Sequence, residues 1–417
     1  MSAPRTSTWP LVALFTAGYL APYLLPTLVG RLDSGLPLSA TQAGAVGSVL
    51  LLSSASAGFL LASRVDRIGA RRLARVGLVL AALGYGIAAL TGVVPVVVLG
   101  ALLGGFGSGT VTAVAATRIA TQPDPHRAST LGLLGVSGLA GLLYLTLPHL
   151  GAGHGQPLAA LALTALAVWP LTGRLPAPTA AARTPRRQST PRRRARLPRP
   201  CPGLVLVSVI PCWSLVQNSL WGVSGRIGLT QAQLTETAVG VVFAVALGAA
   251  LLGVLGARAL GSRLGRALPI GAGTALIAGC VALSASATRP TTFAIGEIAW
   301  NMVYPVVMSY VIGLAASLAP CGRWAVLVGS AASLGTAAGP LTGSLLSART
   351  GFPVMGAVLA AALLVVAVPM TAVALRAAGR PLLPDAIRRR GGGVHVVEAT
   401  PDATPPVPAR SAFETVG

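Results

Sequence analysis

The chain has 417 residues, 53% of them hydrophobic and only 10% charged, with a mean hydropathy of +0.75. Soluble domains carry about 25% charged residues, so this composition excludes an ordinary soluble fold. The formal charge is +22 and rests on 31 arginines with no lysine, a usage that fits a GC-rich bacterial genome because lysine codons are A-rich.

Apolar runs of roughly 20 residues read as transmembrane helices. Twelve are expected, over 9–30, 41–63, 76–92, 94–117, 129–150, 158–173, 203–223, 237–257, 268–287, 291–317, 324–347 and 354–376. The first is too long for the apolar part of a signal peptide, and the next follows within about a dozen residues, so it reads as a retained helix. Between the second and third runs lies a short basic turn, Arg64-Val65-Asp66-Arg67-Ile68-Gly69-Ala70-Arg71-Arg72. It is too short for a domain and reads as a hairpin between two spans.

Between the sixth and seventh runs the composition changes to Pro and Arg, with Thr-Pro-Arg-Arg present at both Thr184 and Thr190. After the twelfth run it changes again to Pro, Gly and Arg. Neither stretch has an apolar period, and both read as disordered. The repeated tetrapeptide is a candidate phosphosite; a solvated linker is the plainer reading. The expected organisation is a six-helix half over 1–173, a basic linker over 174–202, a second half over 203–376 and a tail over 377–417.

Arginine placement sets the topology, because basic residues collect on the cytoplasmic side. With the N-terminus cytoplasmic, 27 arginines fall on that side and only Arg31, Arg226, Arg289 and Arg349 fall on the other. Both termini and the linker are therefore expected in the cytoplasm, with the chain multi-pass in the cell membrane. The +22 charge then serves topology and attraction to anionic lipid heads, and nucleic acid is not an expected partner.

The loop after the eighth run, Arg258-Ala259-Leu260-Gly261-Ser262-Arg263-Leu264-Gly265-Arg266, matches the first basic turn at an offset of 196 residues. Arg263 falls on Arg67, Gly265 on Gly69 and Gly240 on Gly44. The second and eighth helices thus hold the same place in two halves. Parallel halves joined by a long linker are a transporter architecture with the substrate between them.

On these residues the chain resembles the major facilitator superfamily over 9 to about 376. The family's loop between helices two and three runs roughly G-x-L-a-D-R-x-G-R-[RK], and here its core is Asp66-Arg67-Ile68-Gly69-Ala70-Arg71-Arg72. Ala62 stands for the leading Gly, Arg64 for the Leu and Ala70 for the first base after the Gly. The resemblance implies an all-α integral membrane protein, with twelve transmembrane helices in two pseudo-symmetric six-helix bundles. It also implies a conformational latch at Asp66, Arg67 and Arg71 that clasps the halves in the outward-facing state. Gly69 permits the tight turn. Ser262 replaces the Asp in the second copy, which weakens any latch there. The plainer reading of the turn is that it fixes topology alone.

Other family motifs are uneven. The helix-four Arg linked to proton coupling is replaced by Leu103. The fifth helix has Gly132, Gly135, Gly138 and Gly141 without the Pro of the drug-antiporter motif. Helix eleven carries Gly335-Thr336-Ala337-Ala338-Gly339-Pro340-Leu341-Thr342-Gly343. Such spacing suits close helix packing and leans towards an exporter.

In the family, helices 1, 4, 7 and 10 line the cavity. On the first, Thr16, Tyr19, Tyr23 and Pro26 fall within about 80°. On the seventh, Trp213, Ser214, Gln217 and Trp221 fall within about 100°, with Asn218 at the margin. On the tenth, Glu297, Asn301, Tyr304 and Met308 fall within about 60°. The fourth offers Ser108, Thr110 and Thr112. The substrate-binding candidates are therefore Tyr19, Tyr23, Trp213, Gln217, Asn218, Trp221, Asn301 and Tyr304. Some of these aromatics could simply anchor helices at the interface, as Trp9 and Trp169 are read to do. Glu297 is the one acid placed well inside a span, where an ionised carboxylate is costly. It is the proton-coupling candidate; alternatives are a cationic-substrate contact and a neutral, hydrogen-bonded structural role.

His126, His149, His154 and His395 form no HxxxH or HExxH pair, and Cys201, Cys212, Cys280 and Cys321 have no metal-ligand spacing. No catalytic residue, metal or cofactor is expected, and with no nucleophile-elbow or Walker sequence the chain is not read as an enzyme. The expected function is secondary transport by alternating access, as a monomer, with proton-coupled efflux of a small, moderately hydrophobic molecule. Uptake of a neutral metabolite is the alternative. A non-transporting receptor or scaffold, or a membrane-embedded enzyme, is more remote.

Overall fold

The computed structural model describes residues 8–175, 201–261, 264–318 and 323–378. Most of the expected linker, with Thr184 and Thr190, lies outside them. So do the tail from 379, Ser262, Arg263 and Cys321. The described residues form helices with no strand among them.

Twelve long helices follow in chain order. We number them α1 (Trp9–Tyr23 and Leu25–Gly35, one helix broken at Leu24), α2 (Ala40–Leu61), α3 (Ala70–Leu90), α4 (Val94–Ile119), α5 (Pro125–Thr146) and α6 (Gly155–Val168). The second set is α7 (Cys201–Arg226), α8 (Glu236–Leu260), α9 (Ala267–Ala285), α10 (Pro290–Ser317), α11 (Arg323–Thr350) and α12 (Phe352–Ala377). Among the described residues, ten helices are individually long and apolar enough to cross a membrane, and the bent α1 makes an eleventh. The remaining helix, α11, has 28 residues, with Ser, Thr and Gly diluting its apolar character.

Local chemistry starts these helices where the sequence offers a cap. The Ser39 hydroxyl accepts from the Gln42 N–H while the Gln42 side chain accepts from the Ser39 N–H, a reciprocal cap on α2. Asp124 and Thr235 cap α5 and α8 in the one-way form. The basic turn is shorter than its charge run suggests. A one-turn helix, Val65–Ile68, leads to Gly69 at φ 96°, and α3 begins at Ala70. Arg71, Arg72 and Arg75 therefore sit on the first turns of α3. In the second copy Gly265 has φ 65°, so the residue aligned with Gly69 also takes the left-handed region.

The repeat is physical as well as sequential. In the first half α3 packs on α4 and α6, α2 on α4, and α1 on α5 and α6. In the second half α9 packs on α10 and α12, α8 on α10, and α7 on α11 and α12. Every one of those pairings is thus made twice, six helices apart. One contact between the halves is also doubled. A Cβ on Gly44 would meet the Pro340 carbonyl and Ser344, and a Cβ on Gly240 would meet the Tyr144 carbonyl and Pro148. All three pairs of matched positions are separated by the same 196 residues.

Each half contributes one helix to these crossings, α2 on α11 and α8 on α5. Both pairs are tight at the end that carries Arg31 and open towards the end that carries the basic turn. Along α5 and α8, the Tyr144–Gly240 contact gives way to Gly141, where an added Cβ would lie 3.9 Å from Ala244. One turn further on, Gly138 and Gly248 have no described residue within 4 Å. Along α2 and α11, a Cβ on Gly44 or Gly47 would meet Ser344 or Pro340, whereas one on Gly58 or Gly329 would have no described side chain or neighbouring helix within 4 Å.

Candidate functional site

Five acids precede the tail: Asp33, Asp66, Asp124, Glu236 and Glu297. Two of them join the halves at the Arg31 end. Asp33 on α1 pairs with Arg226 on α7 at 3.0 Å. Glu236 on α8 pairs with Arg31 on α1 at 3.1 Å. The Arg31 guanidinium is also caged by its own half: it donates to the Leu147, Gly151 and Gly153 carbonyls and to the Gln156 side chain. Arg31 is only 5% exposed, and those acceptors offset the cost of burying it. A cavity of about 240 Å³ lies between these pairs, walled by Pro26, Leu147, Gly225 and Val239.

The basic turn pairs differently. Asp66 meets Arg118 on α4 at 3.1 Å. Arg71 donates to the Gly173 and Leu175 carbonyls, and Arg75 donates to Thr172 at 3.1 Å. These partners belong to the first half or, for Leu175, to the start of the linker that follows it; none belongs to the second half. Arg67 is exposed and makes none of these contacts.

Glu297 has no cation beside it among the described residues. It is fully buried on α10. Its Oε1 accepts from Ser224 of α7 at 2.8 Å and from Ser284 of α9 at 2.6 Å. Its Oε2 has no hydrogen-bond partner among the described residues. Asn301 reaches the Glu297 backbone carbonyl at 2.9 Å, one turn along the helix, rather than the carboxyl.

Aromatic rings pack along the same helices. Trp213 is stacked on Tyr304 with ring centroids 5.3 Å apart. Trp221 lies edge-on to Phe243 at 5.2 Å and beside Trp300 at 5.6 Å. Trp300 donates its indole N–H to the Gln217 side-chain oxygen. An indole N–H can only donate, so the Gln217 amide must turn its NH₂ the other way, where it has no hydrogen-bond partner among the described residues. Asn218 donates to the Ser214 carbonyl at 2.9 Å and to Thr336 at 3.2 Å, which ties α7 to α11. The glycine run of α11 packs directly on α7: Gly335 against Pro211, and Gly339 and Gly343 against Asn218 and Ser219.

The structure thus brings Trp213, Gln217, Trp221, Glu297, Asn301 and Tyr304 together along one α7–α10 seam. The two α1 tyrosines stand in the other half. Tyr19, 36% exposed, stacks on Phe15 at 4.5 Å. The Tyr23 carbonyl accepts from Tyr144. The α4 residues turn away into packing: Ser108 bonds Tyr85 at 3.1 Å, and Thr110 bonds its own helix at Phe106.

Sequence reasoning missed the serines that hold Glu297, the Trp300 partner of Gln217, Tyr144, and the cross-half ion pairs. Only the ion pairs left a usable signal. Two of the few arginines away from the basic end, Arg31 and Arg226, lie close in sequence to Asp33 and Glu236.

Comparison with known proteins agrees with this architecture. A family profile described as Major Facilitator Superfamily matches residues 6–323. No curated protein matches the sequence. The human organic anion transporter MFSD10 (TETRAN) superposes with a TM-score of 0.63 at 18% identity, covering 88% of this chain and all of that one. The nucleoside transporter NupG gives 0.67 at 15% identity, with coverages of 88% and 99%. A D-xylose–proton symporter gives 0.68 at 15% identity, with coverages of 87% and 96%. At such identities the superpositions establish the fold, and the profile establishes the family. The chain belongs to the Major Facilitator Superfamily, as a multi-pass membrane protein that carries out secondary transport rather than enzymatic chemistry.

Proposed function

We propose that the protein exports small, moderately hydrophobic molecules in exchange for protons, as a monomer with both termini in the cytoplasm. The observation that carries this reading is Glu297. A carboxylate buried without a cation must be neutralised by a proton or by a cationic ligand. The serine pair holds its Oε1 and leaves its Oε2 for that neutralising partner. Of the aromatic rings, half-buried Tyr304 presents accessible surface, backed by the buried Trp213 and Trp221, and so apolar a lining with few charges suits an uncharged or singly charged cargo.

Arginine placement puts the basic end in the cytoplasm. In that orientation, closure at the Arg31 end and separation at the basic end describe an inward-facing state. Alternating access then requires the Arg31–Glu236 and Asp33–Arg226 pairs to part as the basic end closes. Asp66, Arg67 and Arg71 are the groups we assign to the latch in that second state, with Gly69 as its turn.

The test is Glu297→Gln, which keeps the shape and removes the proton site. The full-length chain is placed in vesicles, and ethidium efflux driven by a pH gradient is followed. The variant is expected to lose the pH-driven component while retaining exchange down an ethidium gradient. Unchanged transport with an unchanged pH dependence overturns the coupling role. Uptake of a neutral metabolite is the second reading, favoured by the half-buried amides Asn218 and Asn301 beside the seam. It predicts accumulation with the proton gradient instead of expulsion against it.

A further inference from the structure

Among the described residues, α1 is the one membrane-length helix bent by more than 40° at a break, by 49° between Tyr23 and Leu25. Pro26 accounts for the break. A proline has no N–H to give the carbonyl four residues back, and its ring clashes with that carbonyl. The carbonyl four residues back belongs to Pro22. In this structure it accepts the indole N–H of Trp221 at 3.0 Å. Trp221 stands on α7, in the opposite half, and is 7% exposed with Phe243 and Trp300 against its ring. The next carbonyl at the break, that of Tyr23, accepts from Tyr144, which belongs to the same half as α1.

We propose that the Pro26 break and Trp221 together form a latch that holds the Arg31 end closed, with Trp221 supplying from the other half the donor that proline denies to Pro22. The proposal rests on the reading that the halves part at this end. Buried carbonyls are rarely left without a partner. The Pro22 carbonyl also accepts a backbone N–H at the break, so closure fills the second lone pair that its missing i+4 bond leaves open. Opening withdraws Trp221 and leaves that carbonyl with the backbone N–H at the break alone. The latch also connects gate and site along α7, because Ser224, one turn beyond Trp221, holds Glu297. Trp221 is in this sense a positioning residue.

A double-mutant cycle tests the latch. Val239→Cys serves as the reporter: Val239 is 6% exposed and walls the cavity between the halves at this end. The full-length chain, with its other cysteines replaced, is placed in vesicles and treated with a membrane-impermeant maleimide from the Arg31 side. Trp221→Phe keeps the ring and removes the donor. It is expected to raise the labelling rate by about 2- to 12-fold, the worth of one neutral hydrogen bond. Pro26→Ala restores an N–H for the Pro22 carbonyl, so Trp221→Phe in that background is expected to change the rate less than about twofold. Tyr144→Phe removes a donor from the neighbouring carbonyl within one half, and is expected to leave labelling within about twofold.

An equal rise from Trp221→Phe in both backgrounds overturns the latch, because the ring and not the hydrogen bond is then responsible. Measurable labelling that is the same in all variants overturns the latch alone. No labelling in any folded variant overturns the latch together with the parting of the halves on which it rests.

Discussion

The two ends of the molecule hold their arginines and carboxylates in opposite ways. At the Arg31 end both ion pairs cross from one half to the other. At the basic end Asp66 and Arg71 find their described partners in the first half and at Leu175 just after it, and none across the seam. The glycines follow the same division. Gly44 and Gly240 are filled by the opposite half, whereas among the described residues nothing would lie within 4 Å of a Cβ on Gly58, Gly329, Gly138 or Gly248. The difference teaches that charge alone does not make a gate. A gate is a charge whose partner stands across the seam.

The strongest way to break this contrast is Arg31→Ala. It removes a nearly buried cation and leaves the Leu147, Gly151 and Gly153 carbonyls without their donor. A loss of about 3 kcal/mol in stability is expected, read as an earlier unfolding transition in detergent. Glu236 is 42% exposed on its side chain, so water recovers most of its own share and the effect comes chiefly from the cage. A shift no larger than that of an ordinary surface arginine would show that the cage is not structural.

Asp33→Asn acts on the second, half-buried pair and is expected to cost about 1 kcal/mol of closure, read as a several-fold faster labelling of Val239→Cys. The reversed pair, Asp33→Arg with Arg226→Asp, is expected to return most of that rate. No recovery would place the effect in local packing instead. A cysteine pair at Gly138 and Gly248 sharpens the comparison from the other side. It is expected to cross-link slowly in the unmodified background and several-fold faster with Asp33→Asn, because opening one end closes the other. Equal rates in the two backgrounds would mean the ends move independently.

The smallest effect is expected at Asp66→Asn. Its carboxylate is 77% exposed and its partner Arg118 lies in the same half, so less than about 0.5 kcal/mol should register in this conformation. Faster Val239→Cys labelling would contradict the contrast between the ends, whereas slower labelling is what the latch assigned to Asp66 in the second state would give.

The helices were legible because hydropathy is a property of each segment alone. The doubled architecture was legible because Gly44 and Gly240, and Gly69 and Gly265, must serve the same geometry twice. The α7–α10 seam was partly legible, since helical spacing put Glu297, Asn301 and Tyr304 on one stripe. The hydrogen bonds that decide the chemistry were not. Ser224 falls just past the seventh apolar run and Ser284 inside the ninth, nothing in the sequence marks either, and only packing brings both to one carboxyl. Arg31 read as a stray topological charge, because its partner Glu236 is 205 residues away. Pro26 was visible as a cavity residue, yet its consequence depends on an indole from the other half.

The central claim is that the two ends open in turn. Its most direct measurement compares maleimide labelling of Val239→Cys from the Arg31 side with labelling of Gly138→Cys from the basic side. Both are read with and without Arg226→Ala, which removes a cross-half pair. The account predicts reciprocal changes: faster labelling at Val239→Cys and slower labelling at Gly138→Cys. Rates that rise together, or a change at Val239→Cys with none at Gly138→Cys, would contradict it.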